Sequence, residues 1–217
     1  MTEAPDHARH GHHHHHGPGS APGWTREQAV AVLESPERRR SLDPEAFWEK
    51  VGLLPTTVVA EVGAGTGYFA LPAARRVGKT GKVYAVDISE ELVGLLRERS
   101  QKEKLPQLVA VLSQEDRIPL PDHVADVVLF ANVLHDVPAP TIAEAVRLLR
   151  PGGCFVNLDW KKEETPQGPP LSIRLSPAQA TEILGKWGLM VVGEWSPGPH
   201  HYAQLLRRKG EPPRNEC

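Results

Sequence analysis

Residues 56–63, TTVVAEVG, form a β-branched, apolar run that passes straight into a glycine-rich turn and then into the helical pattern YFALPAARRVG (68–78). The glycines fall at 63, 65 and 67, three within the five positions that follow Val62. A buried strand, a tight turn and a helix in that order make a general nucleotide-binding device. The glycines let the backbone turn sharply and approach a ligand, and the helix N-terminus carries partial positive charge. The same glycines could also serve only to make the turn.

The rest of the chain continues the alternation. KVYAVDI (82–88), LVAVL (108–112), VADVVLFANVL (124–134) and CFVNLDW (154–160) read as strands. Between and after them lie helical stretches. SEELVGLLRERSQKEK (89–104) is capped by Ser89 and turns Leu92, Val93, Leu95 and Leu96 inward. TIAEAVRLLR (141–150) ends at Pro151-Gly152-Gly153, and SPAQATEILGKWG (176–188) has Ser176 as N-cap and Pro177 at its first position. LMVVGEW (189–195) and HYAQLLRR (201–208), joined by SPGPH, read as a terminal hairpin. Apolar strands flanked by helices predict an α/β domain with a mostly parallel sheet covered on both faces and an antiparallel C-terminal edge.

The N-terminal part has a different character. Residues 1–23 are rich in His, Gly and Pro and are expected to be disordered, as are residues 210–217. The run His12, His13, His14, His15 and His16 is either a purification tag or a native tail. Its imidazoles would bind nickel, zinc or copper adventitiously, and no metal site is expected in the core. Residues 24–52 are expected to form a helical lid over the glycine turn, and residues 53–209 the main domain. In the lid, WTREQAVAVLE reads as a short helix, and a second helix follows Asp43 as N-cap with Pro44 at its first position. ESPERRR between them reads as a solvated turn, or else as a contact for an anionic substrate group.

Composition narrows the function. The 217 residues are 40% hydrophobic and 24% charged, with a net charge of −2, so nothing draws the whole chain to a nucleic-acid backbone or an anionic membrane. Cys154 falls in a core strand and Cys217 is the last residue. They form no C-x-x-C pair and no zinc spacing, and nothing suggests a disulfide framework, so a reducing cytoplasm fits. The apolar runs are of strand length, far short of a membrane span, and the N-terminus has no signal-peptide core.

The turn itself narrows the ligand. A dinucleotide fingerprint would read G-x-G-x-x-G, but its third glycine position is Tyr68 here, and no Gly-Lys-Ser/Thr follows to make a P-loop. Glu61, two residues before the first glycine, would repel a pyrophosphate and favour an ammonium or sulfonium. Asp87 ends the second strand, twenty residues after Gly67, where a carboxylate can accept from both ribose hydroxyls. Gln114, Glu115 and Asp116 follow the third strand and can accept from an adenine amino group. The ligand implied is a nucleoside with a positively charged tail and no phosphates, a description that S-adenosylmethionine meets.

Four segments in register carry a resemblance over about residues 45–205. EVGAGTGYF, VYAVDIS, SQEDRIPLPDHVADVVLFANVLHDV and LLRPGGCFVNLDW resemble successive motifs of the S-adenosylmethionine-dependent methyltransferases with the seven-stranded Rossmann-like fold. Within that family the chain looks most like the small bacterial enzymes grouped with ubiquinone/menaquinone-biosynthesis methyltransferases. The resemblance implies that Glu61 and the loop Gly63, Ala64, Gly65, Thr66 and Gly67 wall the methionine part of the donor. It implies that Asp87 binds the ribose, that Ile88 lies against adenine, and that Asn132 sits near the sulfonium. Many relatives have Gly-Asp-Ala where this chain has Ser113-Gln114-Glu115, so either Gln114 or Glu115 would make the adenine contact. The implied reaction is in-line methyl transfer to a small molecule, leaving S-adenosylhomocysteine. The alternatives are an aminopropyl transferase on the same fold and a non-catalytic nucleoside- or metal-binding protein.

Candidate groups for the chemistry lie at the strand ends. His135 is a general base or a packing histidine. Asp159 and Trp160 end the fifth strand, and Trp160 either walls a substrate or fills the core. His200 and His201 begin the last strand, and alternation sends their side chains to opposite faces.

Overall fold

The computed structural model describes residues 24–211, so the His-rich run and the last six residues lie outside the described residues. Seven strands form one sheet in the order β3-β2-β1-β4-β5-β7-β6. They are β1 (Val58–Val62), β2 (Lys82–Asp87), β3 (Leu108–Leu112), β4 (Ala125–Ala131), β5 (Leu149–Trp160), β6 (Leu189–Trp195) and β7 (His201–Arg208). The first five are parallel neighbours, and β7 runs antiparallel to both β5 and β6. The order reverses between β1 and β4. In open α/β sheets the crevice outside the carboxyl ends of such a pair is where ligands bind.

Helices α4 (Ala70–Val77), α5 (Glu90–Lys102), α6 (Ala139–Leu148) and α7 (Pro177–Gly185) connect the strands and cover both faces. Their boundaries follow local chemistry. Ser89 Oγ accepts from the Leu92 amide at 3.3 Å, and Ser176 closes a reciprocal capping box with Gln179. Pro72 is tolerated in α4 because it lies in the first turn, where an amide would have no helical partner. One boundary differs from the sequence reading. α6 covers Ala139–Leu148 rather than 141–150, because Leu149 already pairs with Ala125 and begins β5. Cys154 is fully buried in β5.

Three helices precede the sheet: α1 (Arg26–Leu33), α2 (Pro36–Ser41) and α3 (Pro44–Val51). The second corrects the reading of ESPERRR as a solvated turn. Ser35 Oγ accepts from the Arg38 amide at 3.2 Å and Pro36 occupies the first position, so the segment winds into a short helix. α3 packs through aromatic rings. Phe47 meets Trp48 and Phe69 edge-on at 5.2 and 5.1 Å, and Trp48 Nε1 donates to the Phe69 carbonyl at 2.9 Å. Both rings are essentially buried, and each such burial stabilises the fold by about 1.5–3 kcal/mol. Tyr68 Oη donates to the Leu42 carbonyl at 2.6 Å, which ties the segment between α2 and α3 to the glycine turn. At the other end Arg26 pairs with Glu98 of α5, and Arg99 pairs with Glu34 while donating to the Thr66 carbonyl at 2.9 Å. No helix among the described residues is long and apolar enough to cross a membrane.

Candidate active site

The glycine turn leaves β1 at the β1/β4 switch point. Gly63, Gly65 and Gly67 have φ of +76°, +54° and +86°, conformations that disfavour any side chain. A Cβ at Gly63 would stand 2.6 Å from Val133 Cγ1, and one at Gly67 2.7 Å from Leu96 Cδ2. The turn is also internally bonded. The Gly63 and Ala64 amides both donate to the Val86 carbonyl at 2.9 Å, Gly67 donates to Ala64 at 2.9 Å, and Gly65 donates to Asp87 Oδ2 at 2.7 Å. Those four amides are therefore committed, and the nest of N–H groups that a phosphate requires is not presented.

Several polar atoms around this turn lack partners. Glu61 Oε2, Thr66 Oγ1 and both amide atoms of Asn132 are buried with no hydrogen bond. Orphaned buried polar groups are rare, and each calls for an explanation such as a missing ion or ligand. Asn132 follows β4 with φ +60°, a left-handed conformation that ends the strand, and its backbone amide donates to the Leu158 carbonyl at 2.7 Å. Glu61 is 2% exposed, and burial holds its carboxyl well above the usual range, with the Arg38 guanidinium acting in the opposite sense. Asp87 is also raised by burial, against the hydrogen bonds its oxygens accept from Ser89 and Gly65.

The structure brings together a second pair. His135 Nδ1 lies 2.9 Å from Asp159 Oδ1 and 3.0 Å from Oδ2, and the two side chains are 4% and 0% exposed. Burial alone would lower the His135 pKa, but the Asp159 hydrogen bond and charge, with Asp136 adding to them, leave it raised. With Nδ1–H donating to the carboxylate, the basic lone pair sits on Nε2. His135 also lines a cleft of about 460 Å³ between α6 and α7, whose walls include Leu134, Val137, Ile142, Ile183 and Trp187. Lys186 is the charged side chain at its rim, and among the described residues no carboxylate lines it.

Other candidates sit elsewhere. Trp160 and His201 pair across β5 and β7 with ring centroids 4.2 Å apart, on the sheet face opposite Asp159 and Tyr202. His135 and His201 therefore do not converge on one group. His200 is half-buried, and its carbonyl accepts from the Lys161 amide at 2.9 Å. Ile88 is 46% exposed beside Asp87, and Gln114 and Glu115 lie exposed beyond β3. Sequence reasoning missed Arg174 and singled out Arg38 only as part of ESPERRR, the alternative contact for an anionic group. Arg174, 4% exposed, gathers the 161–175 loop by donating to the carbonyls of Pro169, Glu163 and Gln167 at 2.9, 2.8 and 3.1 Å. It also lies over Trp160 at 5.2 Å. Arg38 turns inward from α2, with its guanidinium 4.9 Å from the Tyr68 ring centroid.

His201 carries a stability prediction. Burial, with Arg38, His200, Arg174 and Lys161 adding repulsion, lowers its pKa to about 3. The unfolded chain takes up this proton near pH 6.5 and the folded chain does not. The contribution is therefore complete above pH 6.5 and is lost as pH falls toward 3. Between pH 7 and pH 5 the loss amounts to about 2 kcal/mol. Urea denaturation should show that loss, and His201→Phe should shrink it. An identical pH dependence in that variant would remove His201 as its source.

Comparison with known proteins places these features in a family. A family model described as "Methyltransferase domain" matches residues 60–157, which run from β1 through most of β5. An uncharacterized methyltransferase of Mycobacterium tuberculosis is 42% identical over 130 residues, 58% of this chain and 48% of the relative. A ubiquinone/menaquinone biosynthesis C-methyltransferase of Laribacter hongkongensis is 33% identical over 139 residues, 62% and 55% of the two chains. This chain thus spans about half the length of these curated relatives. The crystal structure of a SAM-dependent methyltransferase from Aquifex aeolicus superposes with a TM-score of 0.79 at 30% identity, covering 85% of this chain and 98% of that one.

Proposed function

Because the chain belongs to the S-adenosylmethionine-dependent methyltransferases, we propose that it transfers a methyl group from that donor to a small-molecule acceptor by in-line displacement. The observation that carries this reading is the set of buried, unpartnered polar atoms at the β1/β4 switch point: Glu61 Oε2, Thr66 Oγ1 and the Asn132 amide. They lie beside a turn four of whose amides are already used, so they suit a nucleoside with a polar, cationic end and not a pyrophosphate.

Sulfonium chemistry supplies a methyl already activated for attack, so the protein's task is to hold, align and dry the reactants. Glu61 offers a counter-charge to the cationic end, and Gly63, Ala64, Gly65, Thr66 and Gly67 form the wall behind it. Each Asp87 oxygen has accepted one backbone hydrogen bond and keeps a lone pair for a ribose hydroxyl. Ile88 presents apolar surface to the adenine, and Gln114 or Glu115 reaches its edge. Asn132 supplies a donor and an acceptor beside the methionine tail. Helices α1–α3 act as the lid.

His135 and Asp159 make the general-base pair. Asp159 fixes the imidazole tautomer, and Nε2 takes the proton that the acceptor loses as it attacks. The cleft beside His135 holds the acceptor's body. Its volume is within the range of small-molecule sites and its walls are apolar, so an acceptor with a ring and an acidic hydroxyl or carbon fits. The positive charge of Lys186 on its lining disfavours a polyamine, and with it the aminopropyl-transfer reading.

Calorimetry tests the donor. S-adenosylmethionine and S-adenosylhomocysteine are expected to bind with one-to-one stoichiometry, and heats no greater than dilution for both ligands would end this reading.

A further inference from the structure

We propose that Arg38 and Glu61 together form a clamp for the zwitterionic end of the donor, with Arg38 holding its carboxylate and Glu61 its ammonium. The inference rests on the donor assignment above and adds a residue from α2 that lies outside the four family-like motifs and the matched residues 60–157.

The three consecutive arginines of α2 have different environments. Arg39 pairs with Glu34 at 3.1 Å and Arg40 with Glu37 at 2.8 Å, both on the outside. Arg38 makes no ion pair among the described residues, and its Nε is buried without an acceptor. It is nevertheless fixed. The Ser35 cap and the Ser41 Oγ bond to the Arg38 carbonyl at 3.2 Å set the backbone, and the guanidinium lies against the Tyr68 ring. Tyr68 is in turn tied to Leu42 just beyond α2. The glycine turn thus provides the surface on which Arg38 rests.

Glu61 stands within reach of the Arg38 charge, yet the two form no ion pair, and Glu61 Oε2 is left without a partner. A half-buried cation and a buried carboxylate, each with an unpartnered buried atom, are costly as they stand. A single ligand carrying a carboxylate and an ammonium on one carbon satisfies both at once. S-adenosylmethionine ends in that arrangement. A guanidinium binds a carboxylate through two parallel hydrogen bonds, which a point charge would not reproduce. The clamp also gives a reason for selecting the amino-acid form of the donor over its decarboxylated form.

Calorimetry on the full chain with three ligands tests this. In the unaltered protein S-adenosylhomocysteine should bind about 10–100-fold more tightly than its decarboxylated analogue, which keeps the amine and lacks the carboxylate. In Arg38→Met that ratio should fall to within about threefold. The affinity for 5′-methylthioadenosine, which has no amino-acid tail, should be the same in both proteins. Equal affinities for the first two ligands in the unaltered protein would overturn the clamp without needing any variant. So would an Arg38→Met protein that weakens all three ligands alike. Absence of S-adenosylhomocysteine binding to the unaltered protein removes the donor assignment and the clamp with it, whereas tight binding with no preference for the carboxylate removes the clamp alone.

Discussion

Replacing Asp87 by alanine is expected to weaken S-adenosylhomocysteine binding by at least about a hundredfold. Hydrogen bonds to a charged acceptor contribute about 1.5–3 kcal/mol each, and two ribose hydroxyls are at stake. The substitution also strips the Gly65 and Ser89 amides of the oxygens they donate to at 2.7 and 2.9 Å. Asp87 therefore shapes the turn in addition to the ribose contact proposed for it. Asp87→Asn separates the two roles: one carbonyl oxygen survives, so the loss should be smaller. Thermal unfolding of both variants reports how much of the effect is structural. Donor affinity within threefold of the unaltered protein in Asp87→Ala, measured by calorimetry, would remove the ribose assignment.

The second large effect is kinetic. His135→Gln is expected to reduce kcat by about 10²–10⁴-fold, the usual contribution of a positioned base, while leaving donor affinity unchanged. A base works in its deprotonated form, and Asp159 holds the His135 pKa above its ordinary value. The rate should therefore rise with pH through a midpoint above that of a model imidazole, and the glutamine variant should lack this limb. In Asp159→Asn the midpoint should move down, because the group that raises it has lost its charge. The assay uses an acceptor found by screening ring hydroxyls and acidic ring carbons. A pH profile unchanged in His135→Gln would assign the proton to another group or to none.

Much of this arrangement was legible in the chain. Strand positions followed from the runs VVAEV, VYAVD and ADVVLFA, and three helix starts from Asp43-Pro44, Ser89 and Ser176-Pro177. The switch-point cluster followed from the spacing of Glu61, the glycines and Asp87. Ser35-Pro36 carries the same cap signal as Asp43-Pro44, but six residues with three arginines show no apolar period, so α2 was hidden by its charge. The inward turn of Arg38 depends on Tyr68, thirty positions away, and no local pattern encodes it. His135 and Asp159 were both visible as strand-end residues. That they meet depends on the register that sets Leu129 beside Val156 and Ala131 beside Leu158, a long-range fact.

The attachments of the N-terminal helices differ in kind, and this has a consequence for ionic strength. α3 is held by buried aromatic rings that added salt does not loosen. α1 is held to α5 by a small apolar cluster, in which buried Ala29, Leu92 and Leu95 pack with Val30 and Leu33, and by Arg26 and Glu98, which are 39% and 59% exposed and open to counter-ions. Raising the salt concentration should therefore loosen the α1 end more than the α3 end, while its apolar cluster keeps it on α5. Because Arg99 joins Glu34 to the Thr66 carbonyl, that loosening also reaches the glycine turn. Donor exchange should quicken as salt rises, with the sheet beneath unaffected.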